Sequence, residues 1–153
     1  MKTRWLLVLL SAWLLIPSEP VEAALADEAG TPLITNYSFR DYDEHPQNWA
    51  ITQDHRGVMY FGNTNGVMEY DGTTWSSIPV ANGSIARSLA TDRNGRVYVG
   101  AIGEIGYLET DAAGELTYRS LRHRLPPEAQ DFADVWRTFA TDDGIFFWSY
   151  AGF

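Results

Sequence analysis

Residues 51–62 read ITQDHRGVMYFG, and residues 89–100 read LATDRNGRVYVG, so the same pattern returns after 38 residues. A third copy begins at residue 139 as FATDDGIFFWS, with a turn that is one residue shorter. In the first two copies a short apolar segment runs into an Asp-x-x-Gly turn, where Asp bonds the downstream backbone and Gly supplies a positive φ. A segment rich in β-branched and aromatic residues follows, as is typical of a strand. The fixed period indicates a repeat architecture.

Two more strands complete the repeat. In the first copy, a polar turn at 63–66 leads to a third strand over residues 67–70, and an Asp71-Gly72 hairpin turn leads to a fourth strand near Trp75. Four antiparallel strands in about 40 residues are the size of one β-propeller blade. The sequence therefore predicts an all-β fold built from four-stranded antiparallel β-propeller blades.

The second strand of each copy is apolar on both faces, as in Val58-Met59-Tyr60-Phe61. A half-buried strand would alternate instead, so this pattern favours blades that stack face to face. Gly62 and Gly100 end the second strands, and we expect neighbouring backbones to approach closely there.

The N-terminal residues 1–26 are interpreted as a signal peptide or an uncleaved signal anchor. Two positive side chains among the first four residues precede the apolar stretch 5–16, which is short for a membrane span of about 20 residues. Small-x-small patterns then predict cleavage after Ala23 or Ala26. We therefore expect the rest of the chain to be exported to the periplasmic side of a bacterial cytoplasmic membrane.

The remaining sequence divides into a flexible lead-in over 27–35 and a partial propeller over 36–153. We place blade 1 at about 48–80, blade 2 at about 86–121 and the start of blade 3 at about 135–153. Propellers close with about 4–8 blades, and two and a half are predicted here. We therefore expect a fragment of a longer protein or an early-terminated reading frame. Assembly of several short chains into one ring is the alternative.

Charge and composition narrow the classes of function. The formal net charge is −9, and an acidic surface repels phosphate backbones, so no nucleic-acid partner is expected. The chain has no cysteine, which excludes disulfides, thiolate metal sites and cysteine nucleophiles. No catalytic motif occurs, and His45, His55 and His123 lack metal-ligand spacing. The sequence therefore predicts a chain without catalysis, metal or cofactor.

The candidate ligand-binding residues lie just before each first strand. They form the pairs Asn48-Trp49, Ala86-Arg87 and Trp136-Arg137, which occupy equivalent places in the three copies. In a propeller the first strand lines the central channel, whose entrance opens on the binding face. Trp and Arg suit sugar rings and carboxylates, through stacking and bidentate hydrogen bonds. Packing between blades is the alternative role.

Long runs of this sequence resemble the N-terminal periplasmic sensor regions built from two-component-regulator propeller repeats. Residues 45–63 read HPQNWAITQDHRGVMYFGN and residues 69–75 read EYDGTTW. Further matching runs lie at 36–38, 41–42, 87–90, 95–101 and 103–108. The resemblance covers nearly all of residues 36–150.

The resemblance implies one or two propellers outside the cytoplasmic membrane, followed by a β-sandwich, a transmembrane helix and a cytoplasmic histidine kinase or diguanylate cyclase. It implies a small-molecule ligand, with oligosaccharides as one class, and dimerisation of the receptor. The remaining blades and the output domain would belong to the same protein. We therefore expect a ligand-sensing fragment of a signal receptor. A secreted carbohydrate-binding or carbohydrate-active propeller and a structural fragment without activity are the alternatives.

Overall fold

Three antiparallel β-sheets follow one another along the chain in a computed structural model that describes residues 33–150. The predicted signal at 1–26, most of the predicted lead-in and the last three residues lie outside the described residues. The sheets belong to the unit Tyr37–Phe153. None of the helices within residues 33–150 has the length and apolar character needed to cross a membrane.

The first two sheets have four strands each, paired in sequence order. The first sheet contains β1 (Asn48–Gln53), β2 (Met59–Asn63), β3 (Gly66–Tyr70) and β4 (Trp75–Ile78). The second contains β5 (Ala86–Thr91), β6 (Val97–Ala101), β7 (Glu104–Thr110) and β8 (Leu116–Ser120), and the third pairs β9 (Val135–Thr141) with β10 (Gly144–Ser149). The predictions of an all-β fold and of four-stranded antiparallel sheets are confirmed. Within the described residues the sheets do not close into a ring.

Helical structure in the described part is short. It consists of α1 (Phe39–Tyr42) and two 3₁₀ turns between β8 and β9, at Arg122–Arg124 and Pro127–Ala129. The rings of Tyr37 and Tyr42 pack on Trp75, with centroids 5.5 and 5.2 Å away. The segment around α1 therefore covers part of the first sheet on the side turned away from the second sheet.

Aspartate side chains close the tight turns between paired strands. Asp54 Oδ1 accepts hydrogen bonds from the backbone N–H groups of Arg56 and Val58, at 2.9 and 3.1 Å. Asp92 makes the same two kinds of bond between β5 and β6. The predicted turns are confirmed, since a short carboxylate can reach its own downstream backbone. Asp111 closes the β7–β8 turn in the same way, although the repeat alignment did not single it out.

The core lies between the facing sides of the first and second sheets. Its buried side chains are Tyr60, Val67, Ile78, Val80, Ala86, Val97, Val99, Ala101 and Leu108. At Gly62 a Cβ would stand 2.7 Å from the carbonyl oxygen of Ala86. At Gly100 a Cβ would stand 2.5 Å from Val135 of the third sheet. The close approach of a neighbouring backbone is confirmed at Gly62, whereas the atoms closest to Gly100 belong to side chains. Successive sheets thus stack face to face at both glycines.

The first strands of successive sheets pack against one another, whereas the outermost strands β4 and β8 make little contact. Two hydroxyl pairs join the first strands. Thr52 and Thr91 bond across β1 and β5 at 2.8 Å, and Ser88 and Thr138 bond across β5 and β9 at 2.8 Å. The sheets therefore fan outward from the line of their first strands.

An ion pair reinforces the turn at Asp54. The Arg56 guanidinium donates to Asp54 Oδ2 from Nε at 2.9 Å and from Nη2 at 2.8 Å. Burial raises the pKa of Asp54, but hydrogen bonds from Arg56 and the backbone outweigh it and hold this pKa below its usual range. Burial raises the pKa of Tyr60 to about 12, so its hydroxyl stays protonated and donates to Asp54 at 3.3 Å.

Asp54→Asn is expected to lower the free energy of unfolding by about 1–2 kcal/mol at pH 7. The cost stays below that of a fully buried ion pair because the Arg56 side chain is 59% exposed. Since the pKa of Asp54 is depressed in the folded state, its ionised form stabilises the fold above the unfolded-state pKa, and this contribution is lost as pH falls through the folded pKa. The difference between the two proteins should therefore shrink below about pH 4.

Urea unfolding from neutral to acidic pH measures this difference. Asp92→Asn is the matched control, because Asp92 makes the same turn bonds but, within residues 33–150, forms no ion pair with Arg93 or Arg96. Equal, pH-independent losses in the two variants would show that the ion pair adds nothing.

Candidate functional site

Each first strand carries a one-residue β-bulge near its beginning. The ladders skip Trp49 in β1, Arg87 in β5 and Trp136 in β9. A bulge leaves its extra residue unpaired and re-aims the side chain. The three bulged residues therefore leave the regular alternation of their strands.

The bulge in β9 differs in position from those in β1 and β5. Sequence alignment matches Arg137 with Trp49 and Arg87, but Arg137 is still paired in the ladder, opposite Trp148. The residue in the bulge is Trp136, because β9 and β10 form one more regular pair before the register shifts. The equivalence predicted for the third copy is therefore wrong by one residue, and Trp136 is the counterpart of Arg87.

The three bulged side chains meet. The Arg87 guanidinium carbon lies 3.8 Å from the centroid of the Trp49 ring and 4.8 Å from that of Trp136. Arg87 Nε also donates to Asp134 Oδ1 at 2.7 Å, and the Arg87 side chain is only 12% exposed. Both tryptophans thus make cation–π contacts with one cation, each worth about 0.5–2 kcal/mol. The Trp49 and Trp136 side chains therefore pack between sheets, which is the alternative role that the sequence left open for them.

One buried nitrogen of this cluster makes no hydrogen bond to the described residues. Arg87 Nη1 is buried and has no hydrogen-bond partner within the described residues. A buried, unsatisfied N–H costs about 1–3 kcal/mol, and such groups in native proteins are uncommon. The cluster therefore has an unpaired N–H donor on Arg87, a residue that also lines a cavity.

An open cavity of about 480 Å³ lies at the ends of the first strands. Its lining residues are Trp49, Arg87, Trp136, Arg137, Trp148 and Tyr150. The Tyr150 ring lies edge-on to Trp148 and to Trp136, with centroids 4.8 and 6.2 Å away. Four aromatic rings and two guanidinium groups thus surround one opening. The volume falls within the range of small-molecule sites, about 300–1,000 Å³.

Four of the five sequence-predicted site residues line this cavity, and Asn48 does not. The Asn48 side-chain oxygen accepts a hydrogen bond from Asn63 Nδ2 at 2.7 Å, and the same amide donates to the carbonyl of His45 at 2.6 Å. Asn63 is buried. Asn48 therefore helps to hold the loop that precedes β1.

Sequence reasoning missed Trp148, Tyr150 and Asp134. Trp148 and Tyr150 lie at and just beyond the end of β10, outside the segments that precede the first strands. The aromatic-rich run FFWSY at 146–150 was a visible signal, but the sequence alone did not say which rings face the cavity. Asp134 adjoins the predicted start of the third copy, and only its contact with Arg87 reveals its role.

Two further cavities lie between neighbouring sheets. One, of about 340 Å³, is an apolar cleft between the second and third sheets, with Phe132, Val135 and Phe147 among its lining residues. Another, of about 320 Å³, lies between the turns of the first two sheets, beside His55 and Arg96. Among the described residues, no group of three or more His, Cys, Asp or Glu side chains is arranged to hold a metal ion.

No family model matches the chain, and no curated protein gives a match.

Proposed function

We propose that this chain is a ligand-sensing part of a β-propeller region of a membrane signal receptor, and that its ligand binds in the cavity between Trp49 and Tyr150. The observation that carries the proposal is the meeting of three bulged residues from three successive first strands at one opening. A site assembled from equivalent positions of stacked repeats is the usual form of a binding face in repeat proteins.

The arrangement of the sheets supports the propeller. Two sheets share strand order, turn chemistry and bulge position, and they pack face to face through Gly62. Their first strands lie together while their outermost strands diverge, as expected of blades that radiate from an axis. In a propeller the first strands line the axis, so the cavity would lie at one end of the central channel.

The receptor assignment rests on the resemblance of residues 36–150 to propeller sensor regions. In this proposal the chain performs no catalysis and is exported to the periplasmic side of the membrane. Further blades and a histidine kinase or diguanylate cyclase output domain belong to the same protein, and a dimer transmits the signal. The exported location is tested by fractionating cells that carry the tagged chain, because a cytoplasmic pool alone would contradict it.

A secreted carbohydrate-binding propeller is the second candidate. The aromatic rings around the cavity favour it, because sugar rings stack on indole and phenol faces. The two candidates differ in the natural full-length protein, which stays in the membrane fraction if it is a receptor and appears in the soluble exported fraction if it is secreted.

Trp148→Ala is expected to weaken ligand binding by about tenfold or more, because it removes a ring at the cavity opening that is only partly buried. The measurement is the quenching of tryptophan fluorescence during titration with a panel of neutral and acidic mono- and disaccharides. The matched control is Trp75→Phe, since Trp75 packs on Tyr70 in the first sheet, away from the cavity. If Trp148→Ala and Trp75→Phe bind every sugar as the unaltered chain does, the ligand does not occupy this cavity.

A further inference from the structure

The charges around the cavity are unbalanced. Arg87 has its counter-ion, Asp134, at 2.7 Å. Arg137 is exposed and forms no ion pair within residues 33–150. Two guanidinium groups thus face one carboxylate, which leaves a local excess of one positive charge on a chain whose net charge is −9. An unpaired arginine in an acidic protein, at the mouth of a cavity, favours an anionic ligand.

The position of Arg137 beside the aromatic rings adds a second requirement. Arg137 pairs with Trp148 across the β9–β10 ladder, so the two side chains leave the sheet on the same face with Cβ atoms about 5 Å apart. Tyr150 is 78% exposed and lies edge-on to Trp148. A guanidinium fork and two accessible rings therefore stand side by side at the opening.

We infer that the cavity selects ring compounds that bear a carboxylate, with the carboxylate on the Arg137 guanidinium and the ring against Trp148 and Tyr150. This inference rests on the proposed function. Arg binds carboxylates through two parallel N–H···O bonds, which fixes the direction of the acid group, and the aromatic faces hold the ring beside it. An acidic sugar and an aromatic acid share this chemistry.

The test compares galacturonate with galactose, which differ at the carboxylate, and uses benzoate as the aromatic acid. Each is titrated into the full chain at low and high salt, with tryptophan fluorescence as the readout. We expect galacturonate or benzoate to bind at least about tenfold more tightly than galactose at low salt, and this preference to weaken at high salt. If galacturonate binds more tightly than benzoate, the ligand class is an acidic sugar. If benzoate binds more tightly, it is an aromatic acid.

Arg137→Gln is expected to abolish the preference for the acid over galactose, and Arg137→Lys should restore part of it. Because Arg137 is exposed and unpaired in the described residues, both variants should melt at the temperature of the unaltered chain. The matched control is Arg119→Gln, which removes an exposed arginine that pairs with Glu109. If neither galacturonate nor benzoate binds more tightly than galactose, this inference is overturned and the proposed function stands. Absence of binding by all three probes, with no effect of Trp148→Ala on any sugar, overturns both.

Discussion

Gly62→Ala is expected to lower the free energy of unfolding by about 3 kcal/mol, at the upper end of the usual cost of overpacking. The added Cβ would stand 2.7 Å from the carbonyl oxygen of Ala86 and 3.4 Å from the Cβ of Ala50. The first obstacle is backbone of the neighbouring sheet, so no side-chain rotation relieves it. The first and second sheets would have to separate, which would loosen the core between them.

Urea unfolding followed by circular dichroism measures this cost. Gly83→Ala is the control, because no atom lies within 4 Å of its ideal Cβ although its φ is +66°. That variant isolates the strain of a left-handed alanine, about 1 kcal/mol. If Gly62→Ala costs no more than Gly83→Ala, the two sheets are not packed as closely as described.

Arg87→Ala is expected to lower the free energy of unfolding by about 3 kcal/mol. The guanidinium is the shared partner of Trp49 in the first sheet and of Asp134 and Trp136 at the start of the third sheet. Its removal leaves the Asp134 carboxylate, which is three-quarters buried, without its counter-ion, and leaves a void between two indole rings. The loss should appear in urea unfolding at neutral pH, together with weaker sugar binding.

Arg87→Lys should recover less than half of this loss, because an ammonium group keeps the charge without the flat surface that stacks between two rings. Arg96→Ala is the control. Arg96 is exposed and lies over the single ring of Tyr107 at 4.7 Å, so its loss should cost about 0.5 kcal/mol. Similar losses for Arg87→Ala and Arg96→Ala would rule out the stacked cluster as a support of the sheet junction.

Much of the fold follows from local chemistry that is visible along the chain. The Asp54 and Asp92 turns form because each carboxylate bonds backbone N–H groups two and four residues later. The turn at Asp111 could have been predicted by the same argument, because Asp111 and Gly114 have the same Asp-x-x-Gly spacing. Gly62 and Gly100 were identified from their place at the strand ends, and a neighbouring backbone approaches Gly62 as predicted, whereas side chains approach Gly100.

The candidate site was predictable only in part. Trp49, Arg87, Trp136 and Arg137 were predicted to lie just before the first strands. The structure instead puts them inside those strands, at or next to the bulges, and brings all four to one cavity. Their individual positions were not predictable, because a bulge depends on how two strands pair. One additional regular pair in the third sheet was enough to put Trp136 where the alignment had put Arg137.

The sequence by itself determined the repeat, its turns and its strands, because these depend on bonds between residues a few positions apart and on the apolar pattern of each segment. Only the tertiary structure decided which side chains meet. Arg87 contacts partners 38, 47 and 49 positions away, and no local pattern encodes those distances. The stacking of sheets through Gly62 and Gly100 sets them, since it fixes how far apart the first strands and their bulges stand.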